Sequence, residues 1–430
     1  MFNETFISKR KEVLVEDNTS ENTKEPVVPN SPIENHPQYE VELESPFLEE
    51  PPTIKKAGLS FQKVVDLITA YSFITPAVII IFLFGLFPIG YAFYMSLINW
   101  NVKKGDFIGL KNYLEIFGSW ENFFWVLGGV AVLFLAFFVQ NKLEKAANKY
   151  SKYSWLAFLP IVVVSGILFS KGWSAMMVTG DKPFLQSLVN TLYYAMGTVP
   201  TQIIIGLVIA YLLYQDIKFK EGFRLLYFLP YITPAVTTSV VFRIIFNRTP
   251  YSIANRFIGL FGLEPLKWRF ESTPILKLLG LNVEGFWAGP SLALIVIMIF
   301  GIWTFVGYNV VIYLSGLGNI PKEVYEAAEI DGATKWQLFR NITIPYLSPI
   351  TFYLTMISLI GTFKAFNHIY VLKVPSAGAS VVTASVYIFE RFYQFTQFGR
   401  ATAMSMVLFL IILGLTFIQN KLMAERVFYG

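Results

Sequence analysis

Polar side chains recur at helical spacing inside two otherwise apolar stretches of the chain. Thr304 and Tyr308 lie four residues apart in one stretch, and Ser358, Thr362 and Phe366 follow the same spacing in another. Residues four apart share one face of a helix, so each stretch would present its polar groups along one side. Such a face can hydrogen-bond a small hydroxylated molecule. The alternative is that Ser and Thr bond their own helix backbone and that Tyr packs.

The residues needed for most other chemistries are absent. The chain has no Cys and only two His, His36 and His368, which excludes disulfides and thiolate chemistry and leaves too few ligands for a His-based metal site. It also lacks the G-x-x-x-x-G-K-[ST] loop that cradles nucleotide phosphates. We therefore expect no catalytic residue, no metal and no cofactor, and a protein that is not itself an enzyme.

The elements that position the polar residues are predicted to be membrane spans. Of the 430 residues, 54% are hydrophobic and 15% are charged, whereas soluble domains carry about 25% charged residues. A helix needs about 20 apolar residues to cross the hydrocarbon layer. The sequence predicts an all-α polytopic membrane protein with eight spans, the third of them short. The predicted spans are 71–96, 122–140, 155–170, 188–213, 225–246, 290–313, 346–364 and 401–420.

The first 57 residues differ from the rest of the chain. They contain twelve acidic residues, six basic residues and seven prolines, with no apolar period. Such a segment cannot bury a core, so we predict a disordered acidic tail. Its net charge is −6 and that of the remainder is +11. The positive excess is expected near the membrane surface, and nothing in the sequence calls for a nucleic-acid partner.

Lysine and arginine in short loops predict the orientation of the spans. Four segments are basic: 141–154, 214–224, 319–345 and the residues after 420. All four fall on one side of the membrane only if there are eight spans with both termini inside. The sequence therefore predicts a multi-pass membrane protein with cytoplasmic termini and a cytoplasmic segment at 319–345.

The segment 319–345 has the pattern of two short helices joined by a corner. Asn319 is expected to cap the first helix, and Gly332 can end it in the left-handed conformation. Thr334 is expected to cap a second helix, which Pro345 would end before the seventh span. The simplest interpretation is a connector lying along the membrane surface.

The spacing of this segment resembles a known motif, E-A-A-x3-G-x9-I-x-L-P. The matching residues are Glu326, Ala327, Ala328, Gly332, Ile342 and Pro345. Ile344 replaces the leucine of the motif, an apolar exchange. The pattern is similar to the EAA loop of permease subunits in carbohydrate-type ABC importers, and the resemblance extends over roughly 71–120 and 183–425.

Membership in that family would imply a six-helix core and a division of labour between subunits. The EAA helix would be a coupling helix that rests in a cleft of a cytoplasmic ATP-binding subunit, present in two copies. Gly332 would form the corner, and Glu326 would make a polar contact to that subunit. A second, six-span permease subunit would complete a heterodimer. The remaining partners would be an extracellular solute-binding protein, an oligosaccharide substrate and membrane lipid.

The chain departs from the six-span pattern by an inserted pair of spans at about 119–182. The sequence thus divides into the acidic tail (1–57), the first core span and external loop (58–121), the inserted pair (122–182) and the remaining core with its EAA loop at 319–345 (183–430). This layout resembles the eight-span maltose/maltodextrin permeases of Gram-positive bacteria, whose solute-binding protein is lipid-anchored. Other oligosaccharides, such as galacto-oligosaccharides or cyclodextrins, remain alternatives.

The same resemblance assigns candidate substrate contacts. Tyr308, Ser358 and Thr362 fall where the maltose permeases contact sugar, whereas Ala365 stands where they have a polar contact. Further candidates from the same two stretches are Asn309, Lys364, Phe366 and Asn367. His368 is expected to be a loop residue.

Two other protein classes fit the sequence less well. A secondary transporter would need carboxylates inside its spans, and the eight predicted spans have no Asp or Glu at mid-depth. A membrane glycosyltransferase would need paired acids or a metal motif on a loop. The adjacent Glu390 and Arg391 are instead expected to form an external ion pair.

Overall fold

The computed structural model describes residues 61–145, 154–424 and 427–428, so the predicted tail at 1–57 lies outside the described residues. The chain divides into two units, Met1–Phe73 and Ile74–Gly430. Only the first part of helix α1 is described in the first unit. All contacts described below lie within the second unit.

Helices dominate the described residues. They are α1 Phe61–Ile81, α2 Phe87–Ser96, α3 Lys111–Phe117, α4 Trp120–Lys145, α5 Ser154–Thr179, α6 Lys182–Tyr214, α7 Lys220–Ile232, α8 Ala235–Ile245, α9 Ile253–Gly259, α10 Ile275–Leu278, α11 Leu292–Gly318, α12 Lys322–Ile330, α13 Lys335–Leu338, α14 Ile344–Tyr346, α15 Ser348–Phe363, α16 Asn367–Leu372, α17 Ala384–Phe389 and α18 Phe398–Met423. Turns of π-helix occur at Phe82–Leu86, Phe339–Thr343 and Glu390–Gln394, and 3-10 segments at Trp268–Phe270, Gly285–Ala288 and Pro375–Val381. Strands β1 Ile98–Trp100 and β2 Lys104–Phe107 form an antiparallel ribbon.

The all-α polytopic architecture predicted from the sequence is confirmed. Among the described residues, six helices are long and apolar enough to cross a membrane, and two bent helix pairs raise the number to eight if each is one span. The third span is not short, because α5 runs to Thr179. The helix of the first span begins ten residues before the predicted start, at Phe61.

The fifth predicted span is broken rather than straight, and the seventh follows a bend at its start. Helices α7 and α8 meet at 97°, and the Lys335–Tyr346 segment meets α15 at 61°. The first bend lies at Thr233 and Pro234. Proline has no N–H to donate and holds the preceding residue extended, as the ψ of 137° at Thr233 shows.

Helices α4 and α5 pack closely through small residues. A side chain at Gly129 would meet the backbone of Phe169, and one at Gly172 would meet that of Val126. The Ser165 hydroxyl donates a 2.7 Å hydrogen bond to the carbonyl of Gly129. These two helices correspond to the segment that the sequence marked as an insertion.

The helix bundle has two distinct ends. Helix α6 begins at Asp181, whose carboxylate accepts a hydrogen bond of 2.7 Å from Arg400 in the first turn of α18. The same helix ends near Tyr211, whose ring lies 4.6 Å from that of Phe339. We call these the Arg400 end and the hairpin end. Lys421, near the last turn of α18, lies over the ring of Phe138.

The predicted ion pair between Glu390 and Arg391 is wrong. Glu390 pairs with Lys373, and Arg391 donates a 2.6 Å hydrogen bond to the hydroxyl of Tyr387. Adjacent residues on a helix point about 100° apart, so two neighbours do not face each other. Their partners instead come from one turn away and from α16.

Candidate coupling surface and substrate face

The segment 319–346, called the hairpin below, has the predicted arrangement of helix, glycine corner and helix. Helix α12 ends at Ile330, and Gly332 follows with a φ of +80°. This is the left-handed region, which costs a residue with a Cβ roughly 1–2 kcal/mol. The N–H of Gly332 donates to the carbonyl of Glu329, and that of Ala333 to the carbonyl of Ala328, so the corner satisfies the end of the helix.

The second helix begins where the sequence predicts. The Thr334 side chain accepts a hydrogen bond from the Gln337 N–H, and the Gln337 side chain accepts one from the Thr334 N–H, which is a complete capping box. The predicted cap at Asn319 is wrong, because that residue ends α11 and Pro321 precedes α12 without a side-chain cap.

Pro345 does not end the second helix. It lies near the start of the short helix α14, after a π-helical turn, and the chain bends only at Leu347. Proline fits the first turn of a helix because the N–H that it lacks has no partner there.

The hairpin is held together by a contact between its two halves and is attached to the bundle by aromatic packing. The hydroxyls of Tyr325 and Thr343 lie 2.9 Å apart, and burial raises the pKa of the Tyr325 phenol. Phe339 stacks at an angle on Tyr211 of α6, and Leu338 is buried beside it. Ile342 also faces this apolar cluster. The hairpin thus contacts α6 through Phe339, and the chain continues from it into α15 after a bend of 61°.

The opposite face of the hairpin is open. Helix α12 has no buried residue, and Glu326 and Ala327 are exposed, while Ala328 is half-buried. Ile330 is 86% exposed and Trp336 is 65% exposed, one on each side of the Gly332 corner. Sequence reasoning did not single out these two residues. The feature of the sequence that could have identified them is a large apolar side chain in an otherwise polar helix.

Tyr308 lies in an aromatic group at the start of the predicted substrate face. Its ring centre is 5.0 Å from that of Tyr231 on α7, and Tyr353 on α15 is a close neighbour. Thr304 is buried, and its hydroxyl has no hydrogen-bond partner among the described residues. Tyr231 and Tyr353 were missed because nothing in their sequence context separates them from other aromatic residues.

Asn309 lies on a different side of α11 from Tyr308. It is 1% exposed and packs on α6, where a Cβ on Gly206 would be 2.8 Å from its own Cβ. Neither polar atom of its side chain has a hydrogen-bond partner among the described residues. Asn309 is therefore an interhelical residue in this conformation, and it does not share a face with Tyr308.

The predicted face on α15 is only partly formed. Thr362 is buried and donates a 2.8 Å hydrogen bond to the carbonyl of Leu359, and Ser358 is half-buried. Helix α15 ends at Phe363, so Phe366 lies beyond it and packs against Tyr370 and Phe389.

Three residues beyond α15 also lie apart from that face. Lys364 and Asn367 are exposed. His368, expected in a loop, is buried on α16 and bonds the Tyr194 hydroxyl at 2.8 Å. Among the described residues, no hydrogen bond joins the α11 and α15 candidates to one another.

An apolar groove of about 640 Å³ lies next to this region, between α6, α7 and α11. Its walls include Thr201, Tyr227, Pro230 and Trp303. The groove borders Gly307, where a Cβ would collide with the backbone of Tyr227. Helices α7 and α11 thus touch directly beside Tyr308, and any change in their spacing would move that residue.

Residues 172–426 match the family described as the binding-protein-dependent transport system inner membrane component. The chain belongs to this family, and it is a multi-pass membrane protein.

Two curated relatives are permease proteins of sugar transport systems. The chain is 32% identical to the arabinooligosaccharides transport system permease protein AraP of Halalkalibacterium halodurans, over 60% of this chain and 76% of that one. It is 32% identical to the lactose transport system permease protein LacF of Rhizobium radiobacter, over 60% of this chain and 82% of that one. In a solved structure, a chain of a bacterial ABC transporter involved in the import of the acidic polysaccharide alginate is 19% identical to this one. The TM-score is 0.49, and the match covers 64% of this chain and 96% of that one.

Proposed function

We propose that this chain is a permease subunit of an ATP-driven importer of oligosaccharides, with maltose or maltodextrin as the preferred cargo. The observation that carries the proposal is the open face of the hairpin in a chain of the binding-protein-dependent transport family. The related AraP and LacF permeases are named for arabinooligosaccharides and lactose. These sugars are the main alternative cargoes.

The coupling step follows from how the hairpin is built. Two copies of a cytoplasmic ATP-binding subunit would receive the hairpins of this chain and of a second permease. Ile330 and Trp336 would add apolar area to the contact of Glu326 and Ala327, and burial of such area stabilises an interface. When the ATP-binding subunits close, the Tyr325–Thr343 contact would keep the two halves of the hairpin together, and the Phe339–Tyr211 contact would carry the motion into α6.

The substrate would pass along the face that carries Tyr308, Ser358 and Thr362. Rigid-body closure of the hairpins would reposition α11 and α15 and bring their hydroxyl groups to one sugar. An extracellular, lipid-anchored solute-binding protein would deliver the sugar at the Arg400 end. This arrangement requires both termini to be cytoplasmic, as the basic loops predict.

Reconstitution tests the proposal. The chain would be placed in lipid vesicles with its ATP-binding subunit, second permease and binding protein, and uptake of labelled maltotriose, arabinotriose and lactose would be measured. We expect uptake that requires ATP and the binding protein, with maltotriose fastest. ATP hydrolysis by the chain alone, above the level of empty vesicles, would contradict the proposal.

The substrate face is tested by matched threonine substitutions. Thr362→Val removes a hydroxyl from the proposed path, and Thr416→Val removes one from α18, where it likewise bonds its own helix. We expect only Thr362→Val to raise the KM for sugar, by about five- to tenfold, as the loss of one hydrogen bond predicts. Equal KM values for the two variants would remove Thr362 from the path.

A further inference from the structure

A polar pocket lies at the Arg400 end of the bundle, far from the coupling hairpin. Its volume is about 220 Å³, and its walls come from the β1–β2 ribbon, helix α3 and the start of α18. The lining residues used below are Trp100, Asn101, Glu115, Gln397 and Arg400. Unlike the groove between α6, α7 and α11, this pocket is lined mainly by polar groups.

The pocket is built on rigid backbone. Asn112 donates hydrogen bonds to the carbonyls of Ser96 at 2.8 Å and of Ile98 at 3.1 Å, which ties α3 to the ribbon. Gly399 lies directly against β1, where a Cβ would collide with the carbonyl of Ile98. The first turn of α18 can reach the ribbon only because this residue is glycine. The walls are therefore held in place before any ligand arrives.

The charges in the pocket nearly cancel. The Arg400 guanidinium is 2.7 Å from Asp181 and 3.6 Å from Glu115, so its positive charge is matched by two carboxylates. Lys111 adds one exposed positive charge at the rim. Such a site does not select an anion. It suits a neutral ligand that needs many hydrogen-bond donors and acceptors.

The side chains present match a sugar ring. Asn101 and Gln397 supply amides, Glu115 supplies acceptor oxygens, and the half-buried Trp100 supplies an aromatic face. The Nε of Arg400 is buried and has no hydrogen-bond partner among the described residues. Pockets for drug-sized ligands hold about 300–1,000 Å³, so this smaller pocket suits a single ring.

We propose that this pocket is an external sugar subsite, which holds one end ring of an oligosaccharide while the binding protein releases it. The inference rests on the proposed function, because it takes the cargo to be an oligosaccharide. The pocket would capture the released end and limit its escape before the transmembrane path opens. A docking site for a side chain of the binding protein is the competing outcome of the test.

Cysteine protection tests the subsite, since the natural chain contains no Cys. Asn101→Cys places a thiol in the pocket, and Val102→Cys places one on the next residue, which is 74% exposed and does not line the pocket. Each variant would be reacted with a membrane-impermeant thiol reagent in the assembled transporter, with and without maltotriose or arabinotriose. We expect either sugar to slow modification at 101 at least fivefold and to leave position 102 unchanged.

A second pair of variants covers the case in which Asn101→Cys perturbs the ribbon. Trp100→Ala removes the stacking surface, and Trp287→Ala removes an indole that is 77% exposed outside the pocket. We expect only Trp100→Ala to raise the KM for uptake, by about two- to tenfold, with the maximal rate unchanged.

The outcomes separate this inference from the proposed function. Protection by the binding protein without sugar would replace the subsite with a protein-docking site. Uptake that continues with no sugar protection at 101 and an unchanged KM in Trp100→Ala would overturn the subsite and leave the importer intact. Absence of ATP-driven uptake in the unmodified transporter would instead overturn the proposed function.

Discussion

The two ends of the bundle differ in how far their polar groups are satisfied within the chain. At the Arg400 end, the buried carboxylate of Asp181 accepts hydrogen bonds from the Phe184 N–H, the Tyr387 hydroxyl and Arg400. Tyr387 in turn accepts one from Arg391. This network joins α6, α17 and α18 through side chains of one chain.

The hairpin end is arranged in the opposite way. Helix α12 buries none of its residues, and the hydroxyl pair of Tyr325 and Thr343 joins it to the second half of the hairpin. Ile330 and Trp336 remain largely exposed. Under the proposed function, the Arg400 end would be a fixed scaffold and the hairpin would be the surface that another subunit covers. Substitutions at the two ends should therefore fail in different ways.

The largest effect is expected from Asp181→Asn. Asparagine keeps the helix cap but removes the charge, which leaves Arg400 without its buried partner. Breaking a buried ion pair costs about 3–5 kcal/mol. We expect a clearly lower apparent Tm of the purified chain in detergent, measured by thermal aggregation, together with poor recovery from membranes.

Glu115→Gln is the matched control for this prediction. Glu115 pairs with the same arginine at 3.6 Å, but its side chain is 43% exposed. Exposed ion pairs contribute about 0–1 kcal/mol, so the Tm should change little. If the two variants lost equal stability, burial would not be what makes the Arg400 end a scaffold.

The next largest effect is expected from Gly332→Ala. The φ of +80° would strain alanine by roughly 1–2 kcal/mol, although no neighbouring atom blocks a side chain there. We expect normal Tm and expression, but uptake lowered about five- to thirtyfold, because the corner no longer holds α12 in place. The control Gly318→Ala lies within helix α11, also in open space, and should transport normally. A large fall in Tm for Gly332→Ala would instead show that the corner stabilises the fold.

The sequence predicts the fold well wherever one local property dominates. Apolar runs of 20 or more residues identify the spans, and Thr334 with Gln337 identifies the start of α13. The breaks were missed. Pro234 marks the 97° bend, but proline also lies inside α6 at Pro200 without ending that helix. Whether a proline bends a span depends on its neighbours, which no single sequence displays.

Contacts between distant segments of the chain limit how much of the candidate sites can be predicted from the sequence. Asp181 and Arg400 are 219 residues apart, and Trp100 and Arg400 line one pocket only because Gly399 lets α18 touch the ribbon. Local spacing likewise placed Phe366 on one face with Ser358 and Thr362, but α15 ends at Phe363. The EAA pattern located the hairpin, since its residues are contiguous. The exposure of Ile330 and Trp336 required the fold.

The smallest predicted effect separates the hairpin from the adjoining spans by the same chemical change. Tyr325→Phe removes the hydroxyl that bonds Thr343 and joins the two halves of the hairpin, whereas Tyr313→Phe removes one that bonds Thr351 between α11 and α15 at 3.0 Å. Each loss is worth about 1 kcal/mol. Tyr325→Phe should lower the sugar transported per ATP hydrolysed by a few-fold at unchanged Tm, because force reaches the spans less directly.

Tyr313→Phe should do the reverse, with a slightly lower Tm and an unchanged ratio of sugar to ATP. Tyr313 is fully buried, so the loss of its hydrogen bond weakens the packing of α11 against α15. Measuring the sugar transported per ATP hydrolysed and the Tm on both variants distinguishes a coupling role from a structural one. If Tyr325→Phe lowered only the Tm, the hydroxyl pair would be structural, and coupling would have to run through Phe339 and Tyr211 alone.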